Sequence, residues 1–337
     1  MRATQIREHA LAGSRWLVAH QNTDGSWIGL PDPKMDAFYK GAWALTLTGE
    51  LPTAHRVLDY AKQHFLTSDG DFLPREHPWH HEIHYPYANA YFVVGSMITG
   101  RYEISVPAIR FLLGQQNPVS GGFHSVRTDA GRSSRCDSMS TGAAGMACLA
   151  AGELAAARGA ADFLGQLVAL QPTPADRFFC AIEANGRLGT DAKEADEAWW
   201  RIVDTHTENQ CWYAVGLPFA FLVQMAQATG EMRYRELAEW FFDFQLCCVD
   251  PWDGGSSGKG GWGAAMCYRI TGENRYRDIA LRVADQIVAL QNPDGGWAAN
   301  VSGGDVSMLT NPDLDTSAEF TLWLALISSQ ILARDGK

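Results

Sequence analysis

The chain lacks several of the features that would place it in a broad functional class at once. It has no run of lysines and arginines: 27 basic residues are scattered among 38 acidic ones, and the net charge is −11. Binding a polyphosphate needs clustered positive charge that can displace counterions, so nucleic acid is not an expected partner. No apolar run is long enough to span a bilayer. The first segment, MRATQIREHALAGSRWLVAHQ, carries charges on both sides of its apolar residues. It reads as an amphipathic helix and not as a secretory signal. The seven cysteines are odd in number and contain no CxxC pair, which suggests free thiols in a reducing, cytoplasmic setting. HExxH is absent, because His81-Glu82 is followed by His84. The Gly-rich GGSSGKGGWG around Lys259 lacks the GxxxxGK(S/T) spacing of a phosphate loop. No metal and no nucleotide or other cofactor is therefore expected.

What the chain does have is internal repetition. TGELP at Thr48, TGRYE at Thr99, AGELA at Ala151, TGEMRYRE at Thr229 and TGENRYRD at Thr271 each follow an apolar stretch and precede another helical one. A Gly ending one helix and an acid opening the next make a tight helix–helix turn. A second set is QNTDGSW at Gln21, QNPVSGGF at Gln116 and QNPDGGW at Gln291, with looser copies TSDGDF at Thr67 and VDPWDGG at Val249. Each of these closes a charged helix and leads into a long loop. Recurrence at a period of roughly 40–50 residues indicates a repeat architecture. Together the two sets predict about six helical hairpins whose second helices start near Lys34, Tyr85, Cys136, Glu208, Lys259 and Asp313. Charged helices would form an outer ring and apolar ones an inner ring. The expected fold is all-α, an (α/α)6 toroid in a single domain over 1–337. It carries an enlarged loop at 172–207 with an extra helix around 191–203. Every long loop then opens on one face, where function is expected.

The two complete Q-x-x-D-G-x-W copies, at Gln21 and Gln291, resemble the repeat of the squalene/oxidosqualene cyclase and protein prenyltransferase superfamily. The resemblance implies the toroid and a hydrophobic substrate. That superfamily's cyclases carry D-x-D-D-T-A, to which Asp313-Leu314-Asp315-Thr316-Ser317-Ala318 is similar with one Asp fewer. The prenyltransferase zinc set has no counterpart. FYKG at Phe38 is locally similar to linalool dehydratase-isomerase, a toroid that the likeness marks as cofactor-free and reliant on Asp, Tyr, His and Cys side chains.

Candidate site residues lie where the inner helices begin. HPWHHEIHYPYANAYF, from His77, holds four histidines and ends on a helix that Pro86 can open. His84 is its best acid–base candidate. Trp79, Tyr85, Tyr87 and Tyr91 are candidate substrate-lining groups, the last two sharing a helical face. A metal on His77–His84 is the less favoured alternative. PKMDAFYKGAW contributes Asp36 and Tyr39, three apart, with Trp43 a turn further. Asp36 could equally be a helix cap. Near Cys136, Asp137 is a cap or a functional acid. ADRFFCAIEANGR contributes Arg177, Phe178, Cys180 and Glu183, where Arg177 and Glu183 could simply pair. DTHTENQCWYAVG contributes His206, Asn209 and Trp212. Trp262 follows Lys259, and Asp315 has Glu319 one turn along.

Asp36, Tyr39, His84, Cys180, Glu183 and His206 are thus the expected catalytic set, converging on one central cavity with Trp212. Apolar walls with a few polar groups describe a small-molecule pocket. The favoured expectation is a cofactor-independent, terpene-cyclase-like lyase, isomerase or cyclase working by acid–base chemistry on a hydrophobic, unsaturated terpenoid or polyketide-like molecule. The alternative is a carbohydrate-active enzyme of the (α/α)6 type: a glycoside hydrolase, epimerase or polysaccharide lyase. The sequence leaves oligomeric state open.

Overall fold

The computed structural model describes residues 3–30, 33–75, 83–128, 134–173, 176–191, 200–298 and 312–336. Among them are twelve α-helices. The outer ones are α1 (Ala3–Ala19), α3 (Leu51–His64), α5 (Tyr102–Leu113), α7 (Leu154–Ala169), α9 (Met232–Leu246) and α11 (Asn274–Ala289). The inner ones are α2 (Gly41–Leu47), α4 (Pro86–Ile98), α6 (Ser138–Ala150), α8 (Tyr213–Thr229), α10 (Gly258–Thr271) and α12 (Pro312–Asp335). Each inner helix packs on the next, and α12 closes on α2. The tight turns pair α2 with α3, α4 with α5, and so on round the ring, while α1 supplies the outer partner of α12. The expected toroid is what the chain forms.

The two rings differ for the reason their sequences suggest. Outer α3 buries Thr53, Ala54, Val57, Leu58, Tyr60 and Ala61, the spacing of a one-faced helix. Inner α6, SMSTGAAGMACLA, buries everything from Ser138 to Cys148. Its small residues let backbones approach: a Cβ on Gly142 would sit 3.0 Å from Pro218 N, and one on Gly216 2.7 Å from Gly260 N.

The QW-like loops act as clamps between neighbouring hairpins. Gln21 accepts from Arg56 Nε at 2.8 Å, Gln116 donates to Ala156 O at 2.9 Å, and Gln291 donates to His9 O at 3.0 Å. In each case the partner lies on another outer helix. The glycine after the aspartate has positive φ, and a Cβ on Gly25 would fall 2.1 Å from Arg56 O. Gly70, Gly121 and Gly295 meet Pro107, Gly159 and Ala12 in the same way. Only glycine fits both the conformation and the contact.

Three expectations are corrected. Helix α2 starts at Gly41, not near Lys34, and Met35–Ala37 is a 3-10 turn. Trp27 Nε1 donates to Ala37 O at 2.9 Å, so Gly41 N–H turns to Phe38 O instead of extending the helix. Helix α8 starts at Tyr213, not near Glu208. Asn209 is left-handed (φ 54°), and the Gln210 side chain donates to the Asp204 and Thr207 carbonyls, which holds a loop there. In the enlarged loop, Ile202–Asp204 is a strand paired antiparallel with Arg177–Phe179. Most of the helix expected at 191–203 lies outside the described residues. A second two-stranded pairing, Cys136–Asp137 with Ala181–Ile182, docks this loop on the entrance to α6. Among the described residues no helix is long and apolar enough to cross a membrane.

Candidate functional site

Two buried lysines meet on one glutamate at the centre of the inner ring. Lys40 precedes α2, Lys259 is in the first turn of α10, and Glu319 lies one turn along α12 from Asp315. Lys40 Nζ is 2.8 Å from Asp315 Oδ2 and also contacts Glu319 Oε2. Lys259 Nζ is 2.5 Å from Glu319 Oε1, which also accepts from Trp323 Nε1 at 3.0 Å. Each lysine is only 3% exposed. Burial would raise the Glu319 carboxyl, but the Lys259 and Lys40 ammonium groups hold it well below the ordinary range. Burial also works against Lys40, yet Asp315 and Glu319 outweigh it and raise its pKa. Among the described residues Lys259 pairs directly with Glu319, and Asp315 acts on it more weakly. Burial and the like charge of Lys40 push it down.

Aromatic rings wall this centre. Tyr39 stands edge-on to Tyr87 and Tyr91, at 5.7 and 5.6 Å between centroids. Trp43 joins Tyr91 to Trp262, and Trp262 lies 5.9 Å from Trp323. Lys259 Nζ lies 5.0 Å from the Trp323 ring, 5.6 Å from Tyr87 and 5.7 Å from Tyr213, so its charge meets π faces. Burial raises the Tyr39, Tyr87, Tyr91 and Tyr213 hydroxyls well above their ordinary range.

Tyr213 also leads to a second charged pair. Its ring is 6.0 Å from that of His84, just before α4. His84 Nδ1 is 3.2 Å from Asp137 Oδ1. Asp137 caps α6 as well: Oδ1 accepts from Ser140 N at 2.7 Å and Oδ2 from Ser140 Oγ at 2.6 Å. Burial would raise this carboxyl, but His84 and Ser140 hold it below its ordinary value. The two readings of Asp137, cap and functional acid, are thus compatible in one side chain. His84 is 2% exposed, and neither ring nitrogen makes an aligned hydrogen bond among the described residues. Cys180 and Cys211, buried nearby, have thiols pushed up by burial, so neither is poised as a thiolate.

The ring thus gathers Tyr39, Trp43, Tyr87, Tyr91, Trp262 and Asp315 at the lysine centre. Asp36 is buried beside Tyr39, whose hydroxyl its charge helps raise. It lies inside the 3-10 turn and not at a cap. His84 and Cys180 lie on the Asp137 side, and Trp212 is buried at the start of α8. The remaining candidates are elsewhere. His206 and Asn209 are exposed, because the loop before α8 stays outside the ring. Arg177 is exposed and pairs with Asp204 at 2.7 Å, not with Glu183. Phe178 packs in an aromatic cluster with Trp240, Phe241 and Phe244. Tyr85 turns away to donate to Asp71. The Cys136 thiol contacts His124 Nδ1 at 3.6 Å and is pushed up to about 12, chiefly by burial. Glu183 is half-buried against Arg201. Trp79, with His77, His80 and His81, lies outside the described residues. Among those described, no three His, Cys, Asp or Glu side chains are grouped to hold a metal.

Lys40 was not among the candidates, and Lys259, Glu319, Asp137 and Tyr213 were noted beside them without a place in the expected catalytic set. A signal was available: Lys40 in FYKGAWAL, Lys259 in GKGGWGAAM and Glu319 in SAEFTLWLAL are lone charges inside small or apolar inner-helix segments. A charge in such a segment must find a partner across the ring.

No family model matches the chain, and no curated protein does. Solved structures do. A D-mannose isomerase superposes with TM-score 0.71 at 11% identity, covering 96% of this chain and 97% of the other. A GH76 α-mannanase of Bacteroides thetaiotaomicron gives 0.65 at 12%, covering 98% and 97%. A type II terpene cyclase of Scytonema gives 0.61 at 12%, covering 97% and 98%. The chain shares their (α/α) toroid fold. Identities this low extend the likeness to the fold and no further.

Proposed function

We propose that the protein is an acid–base isomerase or lyase that removes and returns a proton beside a carbonyl group of a small, unsaturated molecule held at the ring centre. The observation that carries this is the His84–Asp137 pair, whose imidazole Nε2 has no hydrogen-bond partner among the described residues, joined through Tyr213 to a buried two-lysine centre. A neutral imidazole can take a proton from carbon. The C–H electron pair moves toward the carbonyl oxygen, where the Lys259 ammonium meets the developing negative charge in a site of low dielectric. In a β,γ-unsaturated carbonyl compound, returning the proton to the γ carbon moves the double bond into conjugation and gives an isomer, and loss of a β-substituent gives an unsaturated product.

The same centre disfavours the other chemistries. A carboxylate held below its ordinary range by two ammonium groups, as Glu319 is, is a poor general acid. Two positive charges also repel a carbocation. Acid-initiated cyclisation and glycoside cleavage are therefore less well served than enolate chemistry. The aromatic walls suit a terpenoid or polyketide-like carbonyl compound. A sugar isomerase is the second reading, favoured by the superposition on a D-mannose isomerase together with charged groups that could bind a polyol.

The test is deuterium uptake at carbon from D2O, read by NMR across a panel of enones, β-diketones, terpenoid aldehydes and aldoses. Parent protein should label at least one class. His84→Asn should slow that labelling by about 10²–10⁴-fold. No uptake by any class, or full uptake by the variant, would refute the reading. The class labelled decides between hydrocarbon and sugar.

A further inference from the structure

Behind His84, on the side of the enlarged loop, Trp200 leads to an arginine-lined cleft. The Trp200 ring stands edge-on to His84 at 6.1 Å. Two guanidinium groups approach the same indole, Arg135 at 5.1 Å and Arg201 at 5.8 Å from its centroid. Both border a cleft of about 480 Å³, together with Glu183, Arg187, Thr190 and Asp191. Among the described residues, three arginines and two carboxylates border it. Arg201 is taken by Glu183 and by the Asp191 carbonyl, the latter at 2.6 Å. Arg187 and Asp191 are both exposed. Arg135 Nη1 is buried and has no hydrogen-bond partner among the described residues. A buried guanidinium nitrogen without an acceptor is costly to maintain, and a planar fork of donors fits a carboxylate or phosphate.

We infer that this cleft binds the anionic end, carboxylate or phosphate, of a small molecule whose reactive end lies at His84. Arg135 would supply the decisive hydrogen bonds, with Trp200, which neighbours both Arg135 and His84, as the side wall along the molecule. Arg201, already committed to Glu183, would contribute mainly charge. The inference rests on the proposed acid–base reading only for what it says of the reactive end. The anion site itself is measured without turnover.

The experiment titrates the full chain with inorganic phosphate and, separately, with succinate, at constant ionic strength against a chloride control. Binding is followed by calorimetry and by tryptophan fluorescence. Saturable binding of one of the two anions is expected, and which one saturates identifies the group. Arg135→Ala should weaken it roughly ten- to a hundred-fold, the range of a charge-assisted hydrogen bond. Arg135→Lys, which keeps the charge and should fold even if the alanine variant does not, should weaken it by less. His84→Asn should bind like the parent. A response to both anions no different from chloride, or unchanged binding by both Arg135 variants, would overturn the inference. Deuterium exchange without anion binding removes the cleft and leaves the acid–base reading. Anion binding without exchange does the reverse.

Discussion

Two buried polar clusters meet at adjacent residues, Tyr85 and His84, and have opposite characters. One is centred on Asp71, which is fully buried. Its Oδ1 accepts from Arg75 at 2.8 Å, Asn89 at 2.9 Å and Phe72 N at 2.8 Å, while Oδ2 accepts from Arg127 at 2.8 Å and from Tyr85. The other is centred on His84, next in sequence to Tyr85. It is equally buried but has no aligned hydrogen bond at either nitrogen among the described residues. Burial and charge are common to both. Spare bonding capacity is what separates them. The first has every acceptor filled and joins the 67–75 loop, the 127 loop and α4. The second keeps capacity that a ligand can use.

Mutations can break or sharpen this contrast. The largest stability effect is expected from Asp71→Ala, which removes the buried carboxylate shared by Arg75, Asn89, Arg127 and Tyr85. It should cost roughly 3–5 kcal/mol in urea unfolding. His84→Asn, by contrast, should cost less in unfolding, because Ser140 still donates to both Asp137 oxygens, while slowing deuterium exchange. If the two losses are equal, the distinction between them fails.

A smaller effect concerns acid. The Glu319 carboxyl is lowered in the folded state, so its stabilisation is present above the ordinary glutamate pKa and is lost as pH falls through the folded value. Stability measured from neutral pH downward should therefore fall less steeply in Glu319→Gln than in the parent, although the variant starts lower. An unchanged slope would mean that the lysines do not hold this charge. The smallest effect is chemical. Of the seven free cysteines only Cys247 is exposed, so native thiol labelling should modify one site quickly and six slowly. Rapid labelling of Cys180 would show that the Asp137 side of the ring is open to solvent.

The ring architecture was legible in the sequence because its determinants are local. A Gly that ends a helix, an Asp-Gly that turns a loop, and a stretch of small apolar residues each act within a few positions, and repetition multiplies the signal. The stretch from His84 was legible as the entry to an inner helix, because Pro86 can open one. Its neighbours were harder to read. Tyr85 and Tyr87 differ by two positions, yet one serves the Asp71 cluster and the other faces Lys259. One turn of backbone before α4 decides this, and composition does not encode it. His206 looked equivalent to His84, but a left-handed Asn209 delays α8 and leaves that histidine in solvent.

The sequence by itself determined the alternation of outer and inner helices, the clamp loops between them, and the small residues that let the inner helices close. It did so because periodicity, glycine conformation and side-chain size act at short range. Only the tertiary structure decided that Lys40, Lys259 and Glu319 share one site, and that Asp137 meets His84. Those partners lie on different inner helices. A buried charge selects its counter-charge by distance through space, which is fixed only when the ring closes and α12 reaches α2.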